Sequence, residues 1–221
     1  MNLLEAKKQY LQYIEIEKGR SLNTVENYEH YLKRFLDFAA QSGVTSPEDI
    51  TDPLMREYRM YLNRLEVYTR PGRAKETLKK RTQNYHLIAL RSFFKYMRKH
   101  KIESYNPELI ELAKVGERMP DFMTGDDLSR LLATTENAAS ISELRDRAML
   151  ELLFSTGLRV SELCSLPRHL DLTRDEYSIR GKGEKVRVVF FSSKAKDCIR
   201  EYLSKRTDTD DALFINLGKN A

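Results

Sequence analysis

Two cations, Arg159 and Lys182, stand where residue type and spacing suit them to act on a phosphate. Arg159 lies two positions past Gly157 in STGLRVSEL (155–163), and Lys182 lies between Gly181 and Gly183 in IRGKGEKVRVV (179–189). They are twenty-three positions apart. A phosphodiester in its charged transition state requires fixed positive charge at one point, and two such cations supply it. Gly157 permits a left-handed backbone, so the next helix can start at a sharp angle. Arg159 is then expected at the second position of that helix, beside free backbone N–H groups that favour an anion. Glu162, three residues on, is spaced to hold the guanidinium in one rotamer. An exposed Arg–Glu pair on a helix has the same spacing and contributes almost nothing. Lys182 likewise matches an ordinary solvated lysine at a glycine-rich turn, although such a tip can swing a proton donor towards a bound substrate.

The charge distribution points to a polyanion. Between positions 67 and 101 there are eleven Lys and Arg against one acid, Glu76. That surplus of ten in a chain of net charge +5 leaves the remainder at −5, so the surface is polarised. Lys and Arg bind phosphates at any sequence, while Thr82, Gln83 and Asn84 add groups able to read base edges. The candidate nucleic-acid contacts are Arg73, Lys79, Lys80, Arg81, Thr82, Asn84, Arg91 and Lys95. Phe93, Phe94 and Tyr96 are read as core, not as base-stacking platforms.

The elements that must position these residues are mostly helical. Leu4, Leu11 and Ile14 predict a helix over about 3–17, broken at Gly19. A second helix has Ser21 or Asn23 as N-cap, turns Val25, Tyr28, Leu32, Phe35, Leu36 and Ala39 inward, and ends at Gly43. Pro47 or Pro53 opens a third through Met55, Tyr58, Tyr61, Leu62 and Leu65. Arg70-Pro71-Gly72-Arg73 reads as a charged loop. A fourth helix, over about 77–100, would bury Tyr85, Leu87, Ile88, Leu90, Phe94 and Met97. Four helices make a bundle with its own core. The pattern loosens around Asn106-Pro107 and Met119-Pro120, which divides the chain into a helical domain over 1–103, a linker over 104–121 and a second domain over 122–221.

In the second domain Thr124 and Asp127 cap a short helix over about 128–133. Another runs over about 142–155 with Ala148, Leu152 and Leu153 inward, ends at Gly157, and is followed by a helical turn or two over 160–166. The period then falls to two. Tyr177, Ile179, Val186, Val188 and Phe190 alternate around Gly181-Lys182-Gly183-Glu184, a β-hairpin signal. Ser192 or Ser193 caps a helix to about Lys205, and 212–216 reads as a last strand or extended piece.

Composition excludes several classes. Hydrophobic residues make up 41% and charged residues 32%, as in a soluble globular protein. No apolar run reaches membrane-span length, and MNLLEAKKQYLQY is not a signal peptide, so a cytoplasmic protein is expected. Cys164 and Cys198 sit in apolar patterns and are expected to be buried thiols. His30, His86, His100 and His169 are scattered, with no metal-ligand spacing, and there is no phosphate loop, dinucleotide fingerprint or nucleophile elbow. No cofactor or metal is expected.

STGLRVSEL (155–163), GKGEKVRVV (181–189) and KRTQNYHLIALRSFFKYM (80–97) together resemble the tyrosine recombinases of the phage-integrase and Xer type, over nearly the whole chain. The resemblance implies a mainly α fold. An N-terminal helical core-binding (SAM-like) bundle would precede the first part of an α+β catalytic domain with a β-hairpin, and the two would clamp duplex DNA. It also implies strand cleavage without metal or nucleotide, in which a tyrosine attacks a phosphate to leave a 3′-phosphotyrosyl link and a free 5′-hydroxyl. Arg159 matches the arginine that neutralises the non-bridging oxygens of the pentacoordinate phosphorus. Lys182 matches the hairpin lysine that protonates the departing 5′-oxygen, and Glu162 the acid that supports the arginine. Double-stranded DNA and other recombinase subunits are the implied partners, with no membrane.

The chain departs from the family pattern in one region. No histidine has Arg three residues on, so the H-x-x-R motif is absent, and the later imidazole or indole and the nucleophilic tyrosine are unmatched. Tyr177 and Tyr202 stand too close to the hairpin to serve, and Tyr202 reads as helix packing. The family's remaining third would begin near position 221. DNA binding without cleavage is therefore expected of this polypeptide alone. Three readings stay open: a truncated recombinase, a non-catalytic DNA-binding module that competes or assembles with intact recombinases, and a helical transcription factor derived from the family.

Overall fold

A computed structural model describes residues 1–68, 75–116, 119–181, 183 and 185–217. The chain divides into two compact units, Met1–Arg118 and Met119–Ala221.

The first unit is a helical bundle. Helix α1 (Leu3–Gln12) runs into a π-helical turn (Tyr13–Glu17), followed by α2 (Leu22–Gln41), a 3₁₀ turn (Pro47–Asp49), α3 (Asp52–Arg64) and α4 (Lys80–Lys99). Pro47 and Pro53 both open helical segments, each using the position where a missing N–H costs nothing. Leu32, Phe35, Tyr58, Leu62, Leu90, Phe93, Phe94 and Met97 form the fully buried centre.

Two expected faces are corrected. In α1 the inward stripe is Leu3, Ala6 and Tyr10, continued by Ile14, while Leu4 is exposed. Either stripe fits a helical period; the Tyr10 ring decides between them. It packs against Phe93 and Tyr96, with centroids 5.3 and 5.4 Å away, and its hydroxyl donates to Ser92 Oγ at 2.8 Å. In α4, Tyr85 and Ile88 are exposed, whereas His86, Ala89, Phe93 and Tyr96 are buried with Leu87, Leu90, Phe94 and Met97. The helix also starts at Lys80 and not at 77. Thr77 belongs instead to a small antiparallel hairpin, β1 (Glu66–Tyr68) with β2 (Lys75–Thr77), that pairs Glu66 with Thr77. The Arg70-Pro71-Gly72-Arg73 loop lies outside the described residues.

His86 is a pH-sensitive element of this core. Its ring lies 4.6 Å from Tyr31, and burial, with Arg34 and His30 nearby, lowers its pKa to about 4. The unfolded chain protonates this side chain near pH 6.5 and the folded chain does not, so stability is full above that pH and falls as the pH drops towards 4. The expected loss is at most ~3 kcal/mol. His86→Gln should flatten this part of the profile in melting curves recorded between pH 7 and pH 4.

The stretch expected as a linker begins by packing on the bundle. Ile110 is buried in the same core, Tyr105 and Leu112 lie against it, and Asn106 caps a 3₁₀ turn (Pro107–Leu109).

The second unit begins with α5 (Gly125–Ala133), held by the Thr124–Asp127 capping box, and α6 (Ile141–Thr156), held by an equivalent box of Ser140 and Glu143. Gly157 ends α6 in the left-handed region at φ 61°, which a side chain would strain. Then come α7 (Val160–Cys164), the hairpin β3 (Glu176–Arg180) with β4 (Val186–Phe190), and α8 (Ser193–Lys205), which is capped by Ser192 and packs on α6.

The hairpin forms where the alternation predicts it, and its two faces differ in burial. Val186, Val188 and Phe190 point outward, while Tyr177, Val189 and the following Phe191 are buried, with Tyr177 stacked on Phe191 at 3.8 Å. Residues 212–216 form no strand; Ala212 makes an isolated bridge to Pro167, and Leu213 N–H donates to Leu166 C=O at 2.7 Å. Cys198 is buried as expected, but Cys164, at the end of the short α7, is exposed. Tyr202 is fully buried against Phe214, and the Tyr177 hydroxyl donates to the Asp171 carbonyl at 2.6 Å, so both phenols serve packing.

Candidate active site

Arg159 is the N-cap of α7, with extended backbone at φ −71° and ψ 151°, not the second residue of the helix. The anion expected beside its N–H is supplied by the protein. The Glu162 carboxylate folds back and accepts from Arg159 N–H at 2.8 Å through Oε2. Its Oε1 accepts from Arg159 Nη1, also at 2.8 Å. Glu162 is therefore both cap and guanidinium anchor.

A third residue completes the cluster. Arg187, on β4, donates through Nη1 to Glu162 Oε1 at 3.0 Å and through Nη2 to Oε2 at 2.7 Å. Glu162 is only 7% exposed, and Arg187 followed by the Arg159 N–H lowers its pKa to about 2. The carboxylate stays charged because four N–H contacts, three of them from two guanidinium cations, stabilise its ionised form. Two guanidiniums and one carboxylate leave one net positive charge. The Arg159 side chain is 61% exposed and carries that charge at the surface.

Lys182 and Glu184 lie outside the described residues. The backbone just before Lys182 is placed, and it touches the cluster. A Cβ built on Gly181 would lie 3.1 Å from Arg187 Nη1, 3.1 Å from Glu162 Oε1 and 3.5 Å from Arg159 Nη1. Gly181 thus lets the base of the hairpin turn approach the side chains that hold Arg159.

The candidate contacts on the first unit fall into two groups. Lys79, Lys80 and Arg81 are exposed at the start of α4 and form no ion pair among the described residues. Lys79 is itself the N-cap; no side chain caps the helix and no acid occupies its first turn. Free N–H groups and the positive end of the helix dipole therefore add to three like charges. Thr82 is half-buried next to them. Further along the helix the groups are engaged. Lys95 pairs with Glu108 at 2.9 Å, and Arg91 lies 3.8 Å from the same carboxylate. Asn84 donates to Ala113 C=O at 2.9 Å and accepts from Ala113 N–H at 3.0 Å, which ties down the segment after α4 and occupies the amide expected to read a base. Arg73 lies outside the described residues.

Among the described residues no three His, Cys, Asp or Glu side chains come together as metal ligands, and no helix is long and apolar enough to cross a membrane.

Residues 121–220 match the Phage integrase family, and residues 8–101 match the Phage integrase N-terminal SAM-like domain. The chain is 32% identical over 219 residues to tyrosine recombinase XerC of Bacillus subtilis, covering 95% of this chain and 68% of that protein. Its fold is similar to that of the Tn1549 transposon integrase in complex with circular intermediate DNA, with a TM-score of 0.65 at 16% identity over 96% of this chain and 71% of that one. A lambda integrase dimer bound to a COC′ core site gives a TM-score of 0.62 at 18% identity, over 91% and 54% of the two chains.

Proposed function

Since the chain belongs to the phage integrase family of tyrosine recombinases, we propose that it binds duplex DNA as part of site-specific strand exchange, with Arg159 taking a phosphate oxygen. Residues 1–103 act as the core-binding domain and 122–221 as part of the catalytic domain. The observation that carries this reading is the exposed Arg159 guanidinium fixed to a nearly buried Glu162. A carboxylate anchored on one side of an arginine presents a pre-oriented charge on the other, which is what stabilisation of a developing phosphorane charge needs. Lys182, one residue beyond Gly181, is the proton donor to the leaving 5′-oxygen.

The start of α4 supplies the second contact. Three uncompensated cations on an uncapped N-terminus weaken the free helix, and a DNA phosphate satisfies both the charges and the N–H groups. Further recombinase subunits are proposed as partners, as in the lambda integrase dimer.

These 221 residues contain no H-x-x-R, and neither described tyrosine of the hairpin region is free to attack. The polypeptide by itself is therefore expected to bind without forming a covalent link. Retardation of duplex DNA in a gel tests the binding, and incubation with a nicked suicide substrate tests the chemistry. Retarded DNA with no adduct surviving denaturation is the expected result; absent retardation, or a trapped adduct, rejects the corresponding half of this reading. Arg159→Ala should leave the fold intact and weaken binding about fivefold to tenfold, the net contribution of about one ordinary hydrogen bond for an arginine that stays solvent-exposed.

A further inference from the structure

Glu162 is shared unequally by its two arginines. Arg187 presents the whole fork of its guanidinium and occupies both carboxylate oxygens, at 3.0 and 2.7 Å. Arg159 reaches the carboxylate side-on, through Nη1 alone, at 2.8 Å. Its Nη2 and Nε make no hydrogen bond among the described residues, and its side chain stays 61% exposed. Arg187 approaches from β4, paired across the hairpin with Ile179, and its side chain is 36% exposed, so Glu162 answers a charge only partly withdrawn from water. Gly181 leaves room for this arrangement, because a Cβ there would press on Arg187 and Glu162 together.

Building on the function proposed above, we infer that Arg187 is a positioning residue for phosphate binding. By holding Glu162 in a two-pronged pair, it keeps Arg159 tethered through a single nitrogen and leaves the rest of that guanidinium for a phosphate oxygen. Without Arg187, one carboxylate faces one arginine. The two can close into a bidentate pair that cancels the charge and occupies the donors needed by DNA. The second arginine thus does more than brace the hairpin: it keeps Glu162 from neutralising Arg159. A lysine at 187 keeps the charge but lacks the fork, so it cannot engage both oxygens in the same way.

The test compares the cost of Arg159→Ala in three backgrounds, by duplex-binding titration of the full chain with circular dichroism on each variant. In the wild-type background the cost is about fivefold to tenfold. In an Arg187→Gln background it should shrink to less than about twofold, because Arg159 is already cancelled. Adding Glu162→Gln to Arg187→Gln removes the competing carboxylate and should restore the larger cost. If Arg187 only braces the hairpin, the cost of losing Arg159 stays unchanged in Arg187→Gln, or fails to return when Glu162→Gln is added; either result overturns the inference while leaving the phosphate role of Arg159 standing. If Arg159→Ala costs nothing in the wild type, the phosphate role fails and this inference fails with it. Should Arg187→Gln not fold, Arg187→Lys carries the same comparison, with an intermediate cost expected.

Discussion

Raising monovalent salt from 50 to 200 mM should weaken the binding of this chain to duplex DNA by about 100-fold, the expectation for four phosphate contacts that each release a counterion. The four are Lys79, Lys80 and Arg81 at the start of α4, which form no ion pair among the described residues, and Arg159 on the second unit. Arg91 and Lys95 are left out because Glu108 already neutralises much of their charge; Lys95 lies 2.9 Å from it. Replacing Lys80 and Arg81 together by Glu should remove two contacts and reduce the slope of log affinity against log salt by about 1.8. The same replacement puts two acids at the positive end of α4 in place of two cations, so the helix itself should gain about 0.3–1 kcal/mol per site. Weaker DNA binding in a more stable protein is a combined outcome that general surface damage does not produce. Fluorescence anisotropy across a salt series, with thermal melting of the same samples, measures both. An unchanged slope in the double variant would place the DNA elsewhere on this unit.

How far these features were legible in the sequence depends on whether a local signal determines them. The caps at Thr124, Ser192 and Gly157 involve neighbours within four residues, and each sits where the spacing put it. The faces of α1 and α4 depended on which of two overlapping apolar stripes met the core, and only the contacts of Tyr10 and His86 decide that. The hairpin was legible as a hairpin, but its inward and outward sets were not, because VRVVF contains valines of both parities. That parity is also why Arg187 escaped notice. With Val186 and Val188 facing out, Arg187 must face in, and an inward arginine needs an acid. The spacing from Arg159 identifies Glu162, but only the observed strand parity brings Arg187 to the same carboxylate. Asn84 has a partner that its local sequence does not reveal. Its surroundings of Lys, Arg and Thr suggested base reading, whereas a contact twenty-nine residues away, at Ala113, takes its amide.

Arg206→Ala should cost the second unit about 3–5 kcal/mol, because several hydrogen bonds from one fully buried guanidinium are lost together. The Arg206 side chain has no exposed surface. Its Nη1 donates to the carbonyls of Ala212 at 2.7 Å and Leu213 at 2.9 Å, its Nη2 donates to Asp210 C=O at 3.1 Å, and its Nε donates to Asp208 Oδ2 at 2.9 Å. The guanidinium also lies over the Tyr202 ring, 5.8 Å from its centre. Alanine would strand three carbonyls and the Asp208 carboxylate, whose pKa Arg206 holds well below the usual range. The consequence reaches the site through the backbone. The loop fixed by Arg206 pairs with the chain just after α7, where Leu213 N–H donates to Leu166 C=O and Arg168 N–H donates to Asp211 C=O, each at 2.7 Å. Leu163 and Leu166, on and beside α7, are buried in the same core as Leu213. Losing the loop therefore loosens the seat of the helix that begins at Arg159. For a unit of about this size the cost corresponds to a fall in melting temperature of roughly 15–30 °C, confined to the second unit because the first has a core of its own. Calorimetry should show one transition displaced and the other in place. Arg206→Lys restores the charge without the five-donor fork, so it should recover only part of the loss; full recovery by lysine would mean that charge alone, and not the set of carbonyl contacts, holds this loop.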